Sequence, residues 1–233
     1  MCGRFAQTHH GDDVAQAFQL AVTPELSPRY NIAPSQAVSV IVQSRRSGDR
    51  QHHSKRWGLV PGWSKDPQIG YKLINARSET VAEKPAFRQA FQRRRCLIVA
   101  DGFYEWQKAP QGQTKQPYLI QLRERSLFAF AGLWERWRSP ETDETLFSCT
   151  ILTTAANAIM APIHHRMPVI LSPSAYDAWL DPTHYNRGEL EAWLQPYDAE
   201  AMEAIAISTA VNNPQNEGAA IQVPIEADVT NNP

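Results

Sequence analysis

The chain has 233 residues, 42% hydrophobic and 20% charged, with a formal net charge of −1; this is length enough for one large domain to bury a core without covalent staples. Its three cysteines, Cys2, Cys96 and Cys149, are widely spaced, with no C-x-x-C pair and no His/Cys cluster of metal-ligand spacing, which argues against a disulfide framework or a zinc site and for a reducing, cytoplasmic setting. No window nears the roughly 18–20 apolar residues of a membrane span, and the first residues lack the basic-then-apolar order of a signal peptide.

The near-zero charge hides two unlike parts. From Asp181 to Pro233 there are nine acids and one base, Arg187, which leaves the first 180 residues with a surplus of seven bases. That imbalance is either plain uneven solvation or a basic body suited to a polyanion.

In chain order, residues 12–20 have helical spacing, with Val14 and Phe18 on one side. P-E-L-S-P-R-Y-N-I-A-P-S follows, with three prolines in twelve residues, and reads as irregular but ordered because Tyr30 and Ile32 are apolar. Residues 38–42 alternate as a strand, and R-R-S-G-D-R-Q-H-H after them reads as an exposed hairpin tip. W-G-L-V-P-G-W-S-K-D predicts a loop with partly exposed Trp57 and Trp63, although Trp57 fits a core position better. Residues 83–94 predict a helix with Phe87 and Phe91 four apart, its basic end at 93–95 suiting a helix C-terminus. Short apolar runs at 96–99, 117–122, 127–133 and 146–153 predict strands. Residues 156–161, 174–180 and 187–194 look helical, the second with a Ser-Pro start. There is no internal repeat and no alternation of strand with long helix. The expectation is a single α+β domain over residues 1–233, with a β-rich antiparallel sheet or open-barrel core flanked by short helices.

Four stretches set polar groups among apolar ones: M-C-G-R at the start, L-I-N-A-R-S-E-T at 73–80, V-A-D-G-F-Y-E-W at 99–106 and P-I-H-H-R-M-P at 162–168. Removal of Met1 is favoured by the small residue behind it and leaves Cys2 with an amine of pKa roughly 7.7–8.0 and a thiol of about 8.5, two nucleophiles on one residue. Glu105 lies between Tyr104 and Trp106. It is either a surface glutamate or a carboxyl raised by its aromatic surroundings into the range for proton transfer. His164 and His165 precede a strand entry, where one ring faces inward and the other outward. Asn75 and Arg77 alternate likewise, one able to donate and accept, the other able to fork onto a phosphate.

Together these stretches resemble the SRAP family, the SOS-response-associated peptidases or abasic site processing proteins. The resemblance runs over nearly the full length, through M-C-G-R-F, R-Y-N-I-A-P at 29–34, W-G-L-V-P-G-W at 57–63, I-N-A-R-S-E-T at 74–80, A-D-G-F-Y-E-W at 100–106, I-H-H-R-M-P at 163–168 and V-N-N-P-Q-N-E at 211–217. It implies a sensor of abasic sites in single-stranded DNA. The Cys2 amine condenses with the open-chain sugar aldehyde, and the thiol closes a thiazolidine. By the same resemblance Asn75, Glu105 and His164 are catalytic with Cys2, Arg4 and Arg77 meet phosphates, and Trp106 and Trp63 stack on bases. It also implies self-cleavage before Cys2, abasic-site lyase activity, a monomer without cofactor or metal, a cytoplasmic and in bacteria nucleoid-associated location, and replication-fork proteins as partners.

Two rival classes share parts of the pattern. Class II glutamine amidotransferases also begin Met-Cys-Gly, but their glutamine-pocket motifs and second domain have no room here. A protein that merely binds single-stranded nucleic acid would leave Cys2 inert. Cys96 and Cys149, within apolar runs, read as structural.

Overall fold

The computed structural model describes residues 2–108 and 114–225. Met1, on which the self-cleavage expectation falls, and the last acids of the tail, Glu226 and Asp228, lie outside the described residues. In chain order the elements are β1 (Phe5–Gln7), α1 (Gly11–Phe18), β2 (Arg29–Ile32), β3 (Ala37–Gln43), β4 (Arg50–Trp57), β5 (Asn75–Arg77), α2 (Arg88–Arg93), β6 (Arg95–Ala100), β7 (Gly102–Gln107), β8 (Gln116–Leu122), β9 (Phe128–Arg138), β10 (Thr145–Ala155), β11 (Arg166–Pro168), β12 (Ile170–Leu171), α3 (Tyr176–Leu180), α4 (Arg187–Ala192) and β13 (Met202–Ala206).

The α+β class and β-rich core hold, and the barrel is closed. Strands β10, β4, β3, β6 and β9 form a ring, because β10 pairs with both β4 and β9. Four of its five pairings are antiparallel, and β10 with β4 is parallel, Ser148 facing Arg56. Past that contact β10 turns to other partners, β5 alongside Ile151 to Thr153 and β11 alongside Thr153 to Ala155. A second sheet, ordered β13-β8-β7-β1-β2, puts the amino-terminal strand between β7 and β2.

Period-two alternation sorts the ring's side chains into two sets. Val38, Val40, Cys96, Ile98, Phe130, Cys149 and Ile151 pack with Phe5, Phe103 and Cys2 from the amino-terminal sheet's side. Ile41, Leu97, Val99, Ala131 and Leu133 pack outward beneath Val14 and Phe18 of α1, Phe91 of α2, Trp179 of α3 and Leu190 of α4. Each large side chain so buried contributes about 1.5–3 kcal/mol. Trp57 is fully buried, as its core reading requires, and Cys96 and Cys149 are buried and free.

The basic end at 93–95 does meet helix ends. Arg95, 3% exposed, donates to carbonyl oxygens of Phe91 (2.9 Å), Gln92 (2.8 Å), Trp179 (2.7 Å), Asp181 (2.5 Å) and His184 (2.7 Å), tying together the ends of α2 and α3. Burial lowers its pKa to about 10.

Three local expectations change. The helix expected over 83–94 is confined to Arg88–Arg93, with a turn before it, because Pro85 has no N–H and disfavours helical backbone at Lys84. Residues 156–161 form turns rather than a helix: the Asn157 side chain accepts from the Met160 N–H (3.0 Å) and Pro162 follows. The hairpin tip is shorter than expected, since β4 already runs from Arg50.

Candidate active site

The site begins with β1. Phe5 pairs with Phe103 of β7, and the Tyr104 N–H donates to the Arg4 carbonyl (2.9 Å), so continuing the antiparallel register sets Gly3 across from Glu105. Cys2 has no exposed surface and Glu105 only 4%. On its other side, β5 lies along β10 with Asn75 opposite Ile151, and Asn75 Nδ2 donates to the Cys2 carbonyl at 2.7 Å. Asn75 Oδ1 is buried and has no hydrogen-bond partner among the described residues. Burial pushes the Cys2 thiol well above the ordinary thiol range, and the Glu105 charge pushes it the same way. The thiol is therefore held protonated, its S–H directed at the Arg4 carbonyl oxygen.

His164 enters from the turn before β11. Gln107 Nε2, at the end of β7, donates to the Pro162 carbonyl (3.0 Å) and so moors that turn to the strand carrying Glu105. His164 Nδ1 lies 3.0 Å from the Arg166 backbone nitrogen and 3.2 Å from its carbonyl oxygen, so Arg166 holds the ring in place through its own backbone. Burial lowers the His164 pKa, while the nearby Glu105 charge opposes that shift. His165 stacks on it, ring centroids 4.4 Å apart. Cys2, Asn75, Glu105 and His164 are thus drawn together from the segment before β1, strands β5 and β7, and a turn.

Around them lies a shell the sequence reading did not assign. Trp57 donates Nε1 to the Ile74 carbonyl (2.8 Å), just before Asn75, and sets its ring edge-on to Phe5 at 5.1 Å. Gly58 has φ +124°, and a Cβ there would stand 2.7 Å from the Gly70 carbonyl oxygen, so the W-G pair admits only glycine without strain. Arg166 forks onto Glu79, with Nη2 3.0 Å from Oε2, joining the R-M-P and R-S-E segments. That pairing holds the Glu79 carboxyl below its usual range.

Asn31, wholly buried, donates Nδ2 to the carbonyls of Asn213 (3.0 Å) and Asn216 (2.8 Å) and accepts from Arg4 Nη1 (2.7 Å). The Tyr30 N–H donates to Glu217 (2.8 Å). R-Y-N-I-A-P and V-N-N-P-Q-N-E are thereby one structural unit. The charged residues at Arg166 and Arg4 were visible in the motifs, but their partners lie 87 and 207 positions away, beyond any local pattern.

The four residues expected to meet DNA divide. Arg4 also donates to the Val211 carbonyl (2.9 Å) and sits 5.9 Å from the Trp106 ring, half-withdrawn from solvent. Trp106 donates Nε1 to Asn212 (2.7 Å) and keeps part of its face exposed. Arg77 is exposed at the end of β5, two residues from Asn75. Trp63 is 62% exposed, in a loop fixed by the Trp137 Nε1 bond to the Ser64 carbonyl (2.7 Å). Among the described residues no group of three or more His, Cys, Asp and Glu side chains could hold a metal, and no helix is long and apolar enough to cross a membrane.

A family model described as SOS response associated peptidase (SRAP) matches residues 1–214. The chain is similar to the abasic site processing protein YoqW of Bacillus subtilis, 46% identical over 220 residues that cover 93% of this chain and 96% of the relative. It is also similar to the abasic site processing protein HMCES of Xenopus tropicalis, 31% identical over 93% of this chain and 76% of the relative. Among solved structures, a protein from Bacteroides thetaiotaomicron superposes with a TM-score of 0.85 at 27% identity, covering 96% of this chain and all of the other.

Proposed function

The chain belongs to the SRAP family, and from that premise we propose that it processes abasic sites in single-stranded DNA by trapping them covalently on Cys2. The observation that carries this reading is the 2.7 Å bond from Asn75 to the Cys2 carbonyl. It fixes the backbone of a residue whose amine and thiol share one carbon skeleton, beside Glu105 and His164.

Once Met1 is gone, the Cys2 amine adds to the C1′ aldehyde of the ring-opened deoxyribose. The carbinolamine loses water to give a Schiff base, with Glu105 and His164 as the nearby proton carriers. The thiol then adds to the imine carbon, and its proton passes to the nitrogen. The product is a five-membered thiazolidine, from which hydrolysis must first expel a ring thiol; a lysine imine has no such lock. Arg77, Arg4, Trp106 and Trp63 are the candidate contacts for the flanking phosphates and bases. To the same cluster we assign cleavage of the Met1–Cys2 bond and a lyase side reaction, β-elimination from the Schiff base.

The test is mass spectrometry of the tryptic N-terminal peptide after incubation with an abasic strand and nuclease trimming. A sugar-phosphate adduct on Cys2 with loss of one water supports the proposal. An adduct on a lysine, or glutamine hydrolysis in place of any adduct, rejects it.

A further inference from the structure

The Cys2 chemistry leaves unused a basic cleft at the other end of the ring. Strand β6 enters the ring at Arg95, beside this cleft, and leaves it at Ala100, where the Asp101 N–H bonds the Ala6 carbonyl on the Cys2 side. Six residues of strand separate the two by roughly 17 Å. The cleft, of 690 Å³, lies between the β3–β4 turn, the end of α2 and the β9–β10 pair.

Its charge is one-sided. Arg45 and Arg46 come from the turn, Arg93 from α2 and Arg136 from β9, all exposed. Arg46, Arg93 and Arg136 have no ion-pair partner among the described residues. The lining carboxylate, Glu135, is already occupied: Arg94 pairs with Oε2 at 2.6 Å and the Arg136 N–H donates to Oε1 at 2.9 Å. Asp181, in the adjoining hollow, accepts from Thr183. Beside the arginines Phe147 is 42% exposed, with Lys55 Nζ 4.9 Å from its ring centroid on one face and the Trp134 ring 6.3 Å away.

We propose that this cleft is a second strand-binding site, taking successive phosphates of single-stranded nucleic acid on Arg46, Arg93 and Arg136 and a base on Phe147. Exposed guanidinium groups from three elements around one cleft suit a chain of phosphates; a small anion calls for converging buried donors. The aromatic face selects a strand whose bases are unpaired and free to stack. The site goes beyond trapping at Cys2 and stands on its own residues.

The experiment is fluorescence anisotropy of the full chain with a labelled, undamaged 20-nucleotide thymidine strand across a salt series. The R46Q/R136Q double variant is expected to bind at least about fivefold more weakly, with the log–log salt slope smaller by roughly 1.4, or about 0.7 for each lost phosphate contact. Phe147→Ala is expected to weaken binding by roughly fivefold or more. Unchanged thermal melting of the variants confirms that they fold, and an unchanged adduct yield with a five-nucleotide abasic strand separates this site from the Cys2 reaction. Affinity and slope equal to the parent's in both variants overturn the proposal. Tripolyphosphate competing as well as unlabelled strand at equal phosphate concentration overturns it too, by assigning the cleft to small anions.

Discussion

Asn75→Ala removes one hydrogen bond and nothing else of size. The bond is short, 2.7 Å, and the carbonyl it serves belongs to fully buried Cys2, so its loss strands an acceptor at a cost of about 1–2 kcal/mol. For a chain of this length each kcal/mol lowers Tm by roughly 2–4 °C, so the variant should melt about 2–8 °C below the parent. If the same bond holds Cys2 in its reactive pose, the loss also appears in the rate, as roughly 5- to 30-fold slower covalent capture of an abasic strand. Asn75→Asp should be slower still, because it sets a second acceptor against the carbonyl. The assay is single-turnover capture on a denaturing gel, run beside a calorimetric melt. A variant that melts lower but captures at the parent's rate would refute the positioning role and leave Asn75 a structural residue only.

Other outcomes follow from the same contacts. Asn31→Ala deletes the bonds donated to Val211, Asn213 and Asn216 and the charged bond from Arg4, and should cost about 3–5 kcal/mol in urea denaturation, with early proteolysis within 211–217; cleavage elsewhere first would contradict the coupling. Gly58→Ala forces φ +124° on a side chain and a clash with Gly70, so a loss of about 1–3 kcal/mol is expected, and an unchanged melt would show that the turn relaxes freely. The Asp101 hydrogen bond raises the His9 pKa. Its stabilisation is complete below the unfolded value near 6.5 and is lost as pH rises through the raised folded value. His9→Gln should therefore flatten the stability profile just above pH 6.5; a parallel downward shift at all pH values would assign the effect to packing.

Most of the candidate site could be picked out in the sequence because its residues sit in short motifs whose residue types suggest a chemistry. A cysteine at position 2, a glutamate between aromatics and a histidine pair before a strand stand out in any order of reading. Their convergence was not legible, since it depends on β10 changing partners from β4 to β5, pairings between segments some 75 to 95 positions apart. Closure of the barrel escaped for the same reason: a period-two run shows which face is buried, not which strand lies alongside. Pro85 and Asn157 were in plain view, and at both places turn chemistry outweighed apolar spacing. Asn31 and the Arg166–Glu79 fork gave no local signal, because each acts only through a distant partner.

The central claim is that both nucleophiles of Cys2 are used, and it is tested by a heated denaturing gel of the purified chain with a single-stranded oligonucleotide carrying one abasic site. The parent, with Met1 confirmed absent, should give a heat-stable shifted band that an undamaged strand does not give. Cys2→Ser, which keeps the amine, should give a band only after borohydride reduction of its Schiff base, and Cys2→Ala should behave the same way. A heat-stable band from Cys2→Ser without reduction, or none from the parent, would contradict thiazolidine capture.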